Sequence, residues 1–397
     1  MIKTDRWLLP EGIVDLLPMQ AEPLEKLRRE ILNLFHSWGY ELVMPPFIEY
    51  LDSLLTGTGS DLDLQTFKLT DQLTGRLMGI RADMTPQAAR IDAHHLKRDV
   101  PVRLCYMGTV LRTRPDGFAG SRSPLQVGAE LYGHSGIESD VEVILLMLEM
   151  LNTIGIQEMQ LDLGHVGIFR GLGRQAGLNP EQETVLFDAL QRKARAEIDE
   201  FLSQLDVKSG IKSMLASLID LNGDEEVLDA AREQLKMAAQ SVIEALDNLY
   251  QIAQALRRKL PSASLYFDLA ELRGYQYQTG VVFASYVPGY GQEIARGGRY
   301  DDIGKVFGRA RPATGFSADL TTLVALGADR PYELTGIFAP ALDDPKLQQQ
   351  IANLRKAGER VVCALPGQQG QARDMGCDRV LEKRNGEWVL DDLKEKA

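Results

Sequence analysis

Three groups of residues have the types and spacing to bind a small charged molecule. In Glu271-Leu-Arg-Gly-Tyr-Gln-Tyr-Gln-Thr-Gly-Val-Val-Phe283, a cation able to bond in bidentate fashion, Arg273, stands beside Gly274, and Tyr275 and Tyr277 lead into an alternating apolar run. Such a pairing makes either the floor of an anion pocket or an ordinary surface turn. Asp83 and Thr85 lie two apart, so in extended geometry they share a face and can jointly accept from an ammonium group. Thr85 ahead of Pro86 also fits the start of a helix, as an N-cap. In Leu125 to Gly133, the residues Gln126, Gly128, Glu130 and Tyr132 alternate with Leu125, Val127, Ala129 and Leu131, which puts Gln126 and Glu130 on one face of a strand. Glycine weakens a strand unless something must approach closely, so Gly128 marks that face as turned to a ligand rather than to solvent.

The elements that position these groups can be read in order. Leu24, Leu27, Ile31, Leu34 and Phe35 recur at helical spacing and Gly39 is a stop, after which Tyr40-Glu-Leu-Val-Met-Pro-Pro46 reads as an edge or interface strand. Residues 66–69 and 77–80 form a predicted hairpin around Asp71-Gln-Leu-Thr-Gly75, followed by a short helix from Gln87 to about His95. Val102 to Val110 and Leu125 to Gly133 are strands, and Ser139 to Ile154 is an apolar core helix. Gly171-Leu-Gly-Arg-Gln-Ala-Gly177 misses the dinucleotide-binding spacing by one residue and reads as a loop beside a helix. Residues 170–260 are helical and end in one long helix from Glu225 to Lys259. Strands at 281–287 and 292–299 pair with each other. After a linker at Leu326 to Tyr332 the chain alternates strand and helix to its end.

Composition narrows the function classes. The 397 residues are 44% hydrophobic and 25% charged, an ordinary globular balance with room for two or three domains. A net charge of -12 weighs against extended nucleic-acid binding, which needs a basic stripe. The start lacks a signal-peptide core and no apolar run is long enough to span a bilayer, so the expectation is a cytoplasmic chain with no membrane contact. Cys105, Cys363 and Cys377 are far apart and include no C-x-x-C pair; neither a disulfide framework nor a metal site is expected. No phosphate-loop lysine motif, zinc-protease motif or nucleophile elbow is present.

A strand ending in Arg112, a long loop and Gln126-x-Gly128-x-Glu130 together resemble motif 2 of histidyl-tRNA synthetase, a class II aminoacyl-tRNA synthetase. Gly39-Tyr40 with Pro46 and Glu49 resembles its motif 1, and Arg81 to Thr85 its amino-group pocket. Arg273-Gly274-x-x-Tyr277-x-Thr279-Gly280 and Gly297-Gly-Arg-Tyr-Asp301 resemble its two histidine-specific motifs. Five ordered segments thus cover residues 10 to about 325. The resemblance implies an α+β fold, a class II synthetase-like antiparallel sheet flanked by helices. It would comprise a core of 1–169 and 261–327, a helical insertion at 170–260 and a small α/β domain at 328–397. It implies a homodimer through the motif 1-like region and a pocket for L-histidine. In that pocket Asp83 and Thr85 would take the ammonium, Gln126 and Arg273 the carboxylate and Glu130 an imidazole nitrogen, with Tyr277 and Tyr300 as walls.

The same resemblance has gaps. Activating an amino acid requires cations on the phosphates of ATP as pyrophosphate leaves. Arg112 keeps the motif 2 position, as a vestige, but Arg114 stands where an acid is expected. In Gly315-Phe-Ser-Ala-Asp-Leu-Thr-Thr-Leu323, Thr322 replaces the motif 3 arginine and Thr321 its glutamate. Loss of such a guanidinium should cost about 3 to 4 kcal/mol of transition-state stabilisation, by analogy with removing an oxyanion donor. The family's second tyrosine in the ring-recognition motif is Gln278 here, a departure that bears on how the ring is read. A ligand pocket partly kept, a stripped motif 3 and a short C-terminal domain resemble the regulatory-subunit family of ATP phosphoribosyltransferase. That resemblance implies a non-catalytic chain without a cofactor, paired with the short-form catalytic subunit at the first step of histidine biosynthesis and conferring feedback inhibition by histidine. A divergent active synthetase, or a synthetase-like protein with another binding role, is the competing reading.

Overall fold

The computed structural model describes residues 7–56, 60–115, 120–271, 277–327 and 335–393. The chain forms two compact units, Met1–Leu16 with Ala21–Ala328, and Leu17–Gln20 with Asp329–Ala397. Along the chain come α1 (Pro18–Ser37), β1 (Glu41–Leu42), β2 (Ile48–Tyr50), α2 (Leu51–Leu54), α3 (Ser60–Gln65), β3 (Phe67–Thr70) and β4 (Leu77–Ile80). Next are α4 (Thr85–Arg90), continued by a π-helical stretch at Ile91–Leu96, then β5 (Val102–Thr109), β6 (Leu125–Tyr132), α5 (Ile137–Ile154) and β7 (Gln160–His165). Helices α6 (Val166–Ala176), α7 (Pro180–Gln191), α8 (Arg195–Gln204) and α9 (Ser209–Ser217) precede β8 (Asn222–Gly223), α10 (Glu226–Gln234) and α11 (Gln240–Lys259). The larger unit closes with β9 (Ser264–Asp268), β10 (Val281–Tyr286), β11 (Ala295–Arg299), α12 (Ile303–Val306), β12 (Ala313–Asp319) and α13 (Leu320–Leu326).

Nine strands make one sheet in the order β1-β5-β6-β12-β11-β10-β7-β9-β8, and β2-β4-β3 make a small second one. The central pairs are antiparallel, as the fold class requires, while β1–β5 and β7–β9 are parallel. Parallel neighbours need a long connection, and the helices α6 to α11 supply it between β7 and β9. The alternation in β6 sorts its side chains between two buried layers. Val127, Ala129 and Leu131 join Phe316 of β12 in the main core with α1 and α5. There Phe35 meets Phe316 edge to face, centroids 6.1 Å apart.

Three local expectations change. The single helix over 225–259 is two, because the chain turns after Gln234 and restarts at Gln240. The Gln175 carboxamide, brought in from α6, accepts from Ala239 N at 2.8 Å and donates to Met237 O at 3.2 Å, so it satisfies backbone groups that a continuous helix would bond internally. The Gly171–Gly177 segment is the end of α6 rather than a loop, with Gly177 (φ +69°) as its stop. A side chain at Gly171 would lie 2.4 Å from Val242 Cγ2, so the glycine is there to let α11 pack closely. Thr85 does not cap α4. Asp83 Oδ1 accepts from Thr85 N at 2.9 Å instead, which frees the threonine hydroxyl.

In the smaller unit β13 (Ile337–Ala339), α14 (Pro345–Lys356), β14 (Val361–Cys363), β15 (Arg379–Arg384) and β16 (Glu387–Asp392) form a sheet in the order β14-β13-β15-β16 under one helix. Ile337, Leu347, Ile351 and Leu381 fill its core. Among the described residues, no helix is long and apolar enough to cross a membrane.

Candidate functional site

The face of β6 opposite the core carries Gln126, Gly128 and Glu130, and all three are buried. Direct cross-strand partners share a face, so the register extends this surface sideways. Gly128 pairs with Tyr106 of β5 and Ser317 of β12, Glu130 pairs with Gly315, and Gly315 pairs in turn with Gly298 of β11. Each glycine makes room for a neighbour. A Cβ on Gly128 would meet the Tyr106 hydroxyl at 2.5 Å, one on Gly315 the Glu130 carboxylate at 1.5 Å, and one on Gly298 the Gln278 carboxamide oxygen at 2.6 Å. The site is a trough, floored by glycines and walled by polar side chains that reach across them.

Glu130, 1% exposed, sits at its centre. Tyr106 OH donates to Oε1 at 2.8 Å and Tyr300 OH donates to Oε2, while Tyr300 OH also reaches Tyr132 OH at 3.4 Å. Burial pushes the Glu130 carboxyl up to about 8; the Tyr300 and Tyr106 hydroxyls pull the other way, and the charge of Asp83 adds to the rise. Burial likewise raises all three phenols well above their ordinary value. At neutral pH the centre of the trough is therefore largely uncharged.

Asp83, Thr85 and Gln126 form the adjoining wall. Gln126 Nε2 donates to Asp83 Oδ1 at 2.7 Å and its Oε1 accepts from Met84 N at 2.9 Å, while Thr85 Oγ1 lies 2.9 Å from Tyr106 OH. One chain of hydrogen bonds thus runs from Thr85 through Tyr106 and Glu130 to Tyr300. Tyr277 is 44% exposed overall, yet burial of its hydroxyl raises the phenol's pKa, with Asp83 and Glu130 near enough to contribute. The Arg296 charge and a hydrogen bond with the Gln278 side chain act the other way. Arg273 lies outside the described residues, so the carboxylate partner expected from it has no geometry here.

Behind Tyr300 stands an anchor that periodicity gave no sign of. Arg299 donates to Asp140 from Nε (3.1 Å) and Nη2 (3.0 Å), and also to Ser139 Oγ at 2.8 Å, with both charged side chains nearly fully buried. Removing one partner of such a pair strands the other charge. Thr279 N donates to Arg299 O at 2.6 Å and Asp301 N donates to Thr279 Oγ1 at 2.9 Å, so the strand bearing Tyr300 and the segment bearing Gln278 are tied together. Of the floor, sequence marks Gly128 but not the parts of Gly298 and Gly315, and it gives no role to Tyr106, Tyr132 or Asp140. For Tyr106 the signal existed: it sits mid-strand, opposite the suspicious Gly128.

A cavity of about 200 Å3 opens along the same sheet face, lined in part by Arg112, Gln126, Arg296, Ser317, Asp319 and Thr322. Gln126 belongs to both trough and cavity. Arg112 Nε donates to Ala82 O at 3.4 Å, and Arg114 is exposed. Thr322 Oγ1 turns back to Asp319 Oδ2 at 2.9 Å, and Asp319 Oδ1 caps α13 through Thr321 N at 3.0 Å. The two threonines thus serve the helix start. At the motif 1-like edge, Glu49 Oε1 accepts from Gln87 Nε2 and Arg90 Nη2, both at 2.6 Å, and Arg81 holds Pro45 O at 2.7 Å. Among the described residues no cluster of three or more His, Cys, Asp or Glu is placed to hold a metal ion.

Residues 12–323 match the family model described as histidyl-tRNA synthetase, and residues 334–391 match that of the ATP phosphoribosyltransferase subunit HisZ C-terminal domain. The ATP phosphoribosyltransferase regulatory subunit of Thioalkalivibrio sulfidiphilus is 63% identical, covering 99% of this chain and 100% of that protein. The regulatory subunit of Methylococcus capsulatus is 60% identical over 97% of this chain and 96% of that protein. A crystal structure of an ATP phosphoribosyltransferase regulatory subunit/histidyl-tRNA synthetase from Bacillus halodurans superimposes with a TM-score of 0.82 at 29% identity, covering 94% of this chain and 97% of that one. Histidyl-tRNA synthetase from Nostoc sp. PCC 7120, at 19% identity, shares the fold with a TM-score of 0.78 over 98% of this chain and 97% of that one. By sequence along its whole length and by the architecture around its trough, this chain belongs to the family of ATP phosphoribosyltransferase regulatory subunits, on the histidyl-tRNA synthetase fold.

Proposed function

We propose that the chain is a non-catalytic regulatory subunit that binds L-histidine in the glycine-floored trough and acts on a short-form ATP phosphoribosyltransferase catalytic subunit. The observation that carries this reading is the contrast between the two halves of one sheet face. The trough retains an acceptor wall for an ammonium group in Asp83 and Thr85 and a buried polar centre in Glu130, Tyr106 and Tyr300. Next door, the position of the synthetase's motif 3 cation carries Thr322, whose hydroxyl is turned onto a helix cap. A triphosphate placed there would find Arg112 and Arg296, but would meet the carboxylate of Asp319 and lack the motif 3 arginine that offsets charge in the transition state. Binding without activation is the chemistry this supports.

Histidine then acts by preferring one state of the assembly over another, because only differential affinity shifts an equilibrium. Gln126 would join Arg273 on the ligand's carboxylate side, and a homodimer through the motif 1-like edge would present two such pockets. The deciding experiment mixes the purified chain with a short-form catalytic subunit. A stable complex by light scattering, with turnover that becomes sensitive to histidine only in that complex, is the expected result. Failure to associate, or histidine-dependent exchange of pyrophosphate into ATP by this chain alone at a synthetase-like rate, would overturn the reading.

A further inference from the structure

Two segments leave the trough in different directions and meet again beyond it. One starts at Thr85 and runs through α4 into the π-helical stretch Ile91–Leu96. The other is the connection from Tyr300 to Ala313, which departs from the trough and returns to it, because Tyr300 N donates to Ala313 O at 2.8 Å. Between them Ala89 and Ala93 pack with Tyr300, Ile303 and Phe307 in one buried cluster. Their far ends are clasped at three points. Arg311 Nη1 donates to both carboxylate oxygens of Asp92, at 2.9 and 3.1 Å, and its Nη2 donates to Val100 O at 2.6 Å. Phe307 meets His94 edge to face, centroids 6.0 Å apart. Arg309 Nη2 donates to Arg98 O at 2.8 Å and to Asp99 Oδ1 at 2.6 Å. Gly133 leaves the room this needs, since a Cβ there would lie 2.0 Å from Arg311 Nη2. By helical rise, Asp92 stands roughly 10 Å from Thr85 along the helix.

This frame is firm on the inside and weak at its outer corner. Asp92 and Arg311 are buried, 2% and 8% exposed, so parting them would strand a charge. The turn beyond them is wound more loosely. Lys97 N bonds to Asp92 O, five residues back rather than four, Lys97 itself is left-handed (φ +50°), and the Asp99 side chain is 99% exposed. Arg309 Nη1 is buried without a hydrogen-bond partner among the described residues, a cost that opening of this turn would relieve. Such segments open locally at low cost, and whatever ties their ends together reduces that opening. We propose that the clasp is a gauge of the trough's occupancy: a ligand held by its ammonium at the Thr85 wall and lying against Tyr300 joins the two segments at their near ends, closes the frame and steadies the exposed turn Lys97–Val100. The inference rests on the reading of the trough as an amino-acid pocket and adds a route from that pocket to the surface. A protein bound over that turn binds the two states unequally, which is what regulation requires.

Hydrogen–deuterium exchange on the full-length chain, with and without saturating L-histidine, tests this alongside calorimetry of histidine binding. In wild type, histidine should slow exchange in peptides covering 91–100 by fivefold or more, while peptides from α8 and α9 change by less than twofold. Two variants cut the clasp at different depths. Arg309→Gln removes the partly exposed outer tie, and Asp92→Leu with Arg311→Met replaces the buried pair by apolar groups and strands no charge; thermal melts establish which are folded. In a folded variant, histidine affinity should stay within threefold of wild type while the slowing over 91–100 falls below twofold. Binding to wild type that leaves this exchange within twofold, quickens it, or slows α8 and α9 equally overturns the proposal while the pocket reading stands. Slowing that persists in every folded variant overturns it too, because the coupling then takes another path. An affinity loss beyond threefold in the folded variants also overturns it, because the clasp then shapes the pocket itself. If histidine gives neither heat nor altered exchange with wild type, the pocket reading fails and this inference fails with it.

Discussion

Glu130 is one carboxyl group held by two tyrosines in a dry place, and that arrangement fixes a pH response. Its ionisation moves from an ordinary 4.5 to about 8 on folding, with burial as the main cause. Between those values the folded chain keeps a proton that the unfolded chain has released, so stability falls as pH rises from about 4.5 to about 8. Glu130→Gln keeps the shape and removes the titration. The melting temperature of this variant, relative to wild type, should therefore be higher at pH 8.5 than at pH 5; an identical difference at both would mean that the carboxyl ionises normally. Of this centre, Glu130 and Tyr300 could be named from sequence, because a period-two pattern and a short motif lie along the chain. The Arg299–Asp140 pair could not, since it joins residues 159 positions apart and leaves no periodic trace.

At the scale of elements, the junction of β7 and α6 carries a second titration of opposite sense. His165 caps α6 by accepting from Gly167 N at 3.1 Å, which requires a neutral ring. Burial, helped by the nearby Arg299 charge, lowers its pKa to about 4 from 6.5. As pH falls from 6.5 towards 4 the unfolded chain takes up a proton that the folded chain refuses, and stability is lost. His165→Asn keeps a capping oxygen without a group that titrates, so its melting temperature should decline less than that of wild type between pH 6.5 and 4.5; an equal decline would remove His165 as the source. Elements with strong local patterns, such as β6 and α5, were legible because burial on each face repeats with the backbone period. The break between α10 and α11 was not, because the side chain that bonds the backbone groups left open there, Gln175, lies on α6, more than sixty residues away.

For the whole molecule, β1 lies at the open edge of the nine-stranded sheet, and Leu42, Met44, Phe47 and Ile48 around it are exposed, Met44 by 75%. Bare strand edges beside apolar side chains invite pairing, which agrees with a homodimer through this region. On the proposed homodimer, Met44→Glu with Phe47→Glu should halve the mass seen by light scattering; an unchanged mass would remove this edge as a dimer contact. The fold class could be read from ordered motifs because their residue types are constrained by strand alternation and close approach, as in Gln126-x-Gly128-x-Glu130 within β6. The glycine floor has a different kind of consequence. Gly128, Gly315 and Gly298 are scattered along the chain but adjacent across the strands, and at each of them the smallest possible addition, one methyl group, collides with a wall of the trough. The site's shape is thus stored in what is missing, as a mould stores a casting. A change of ligand would have to be negotiated by its walls, at positions such as Gln278, and never by its floor.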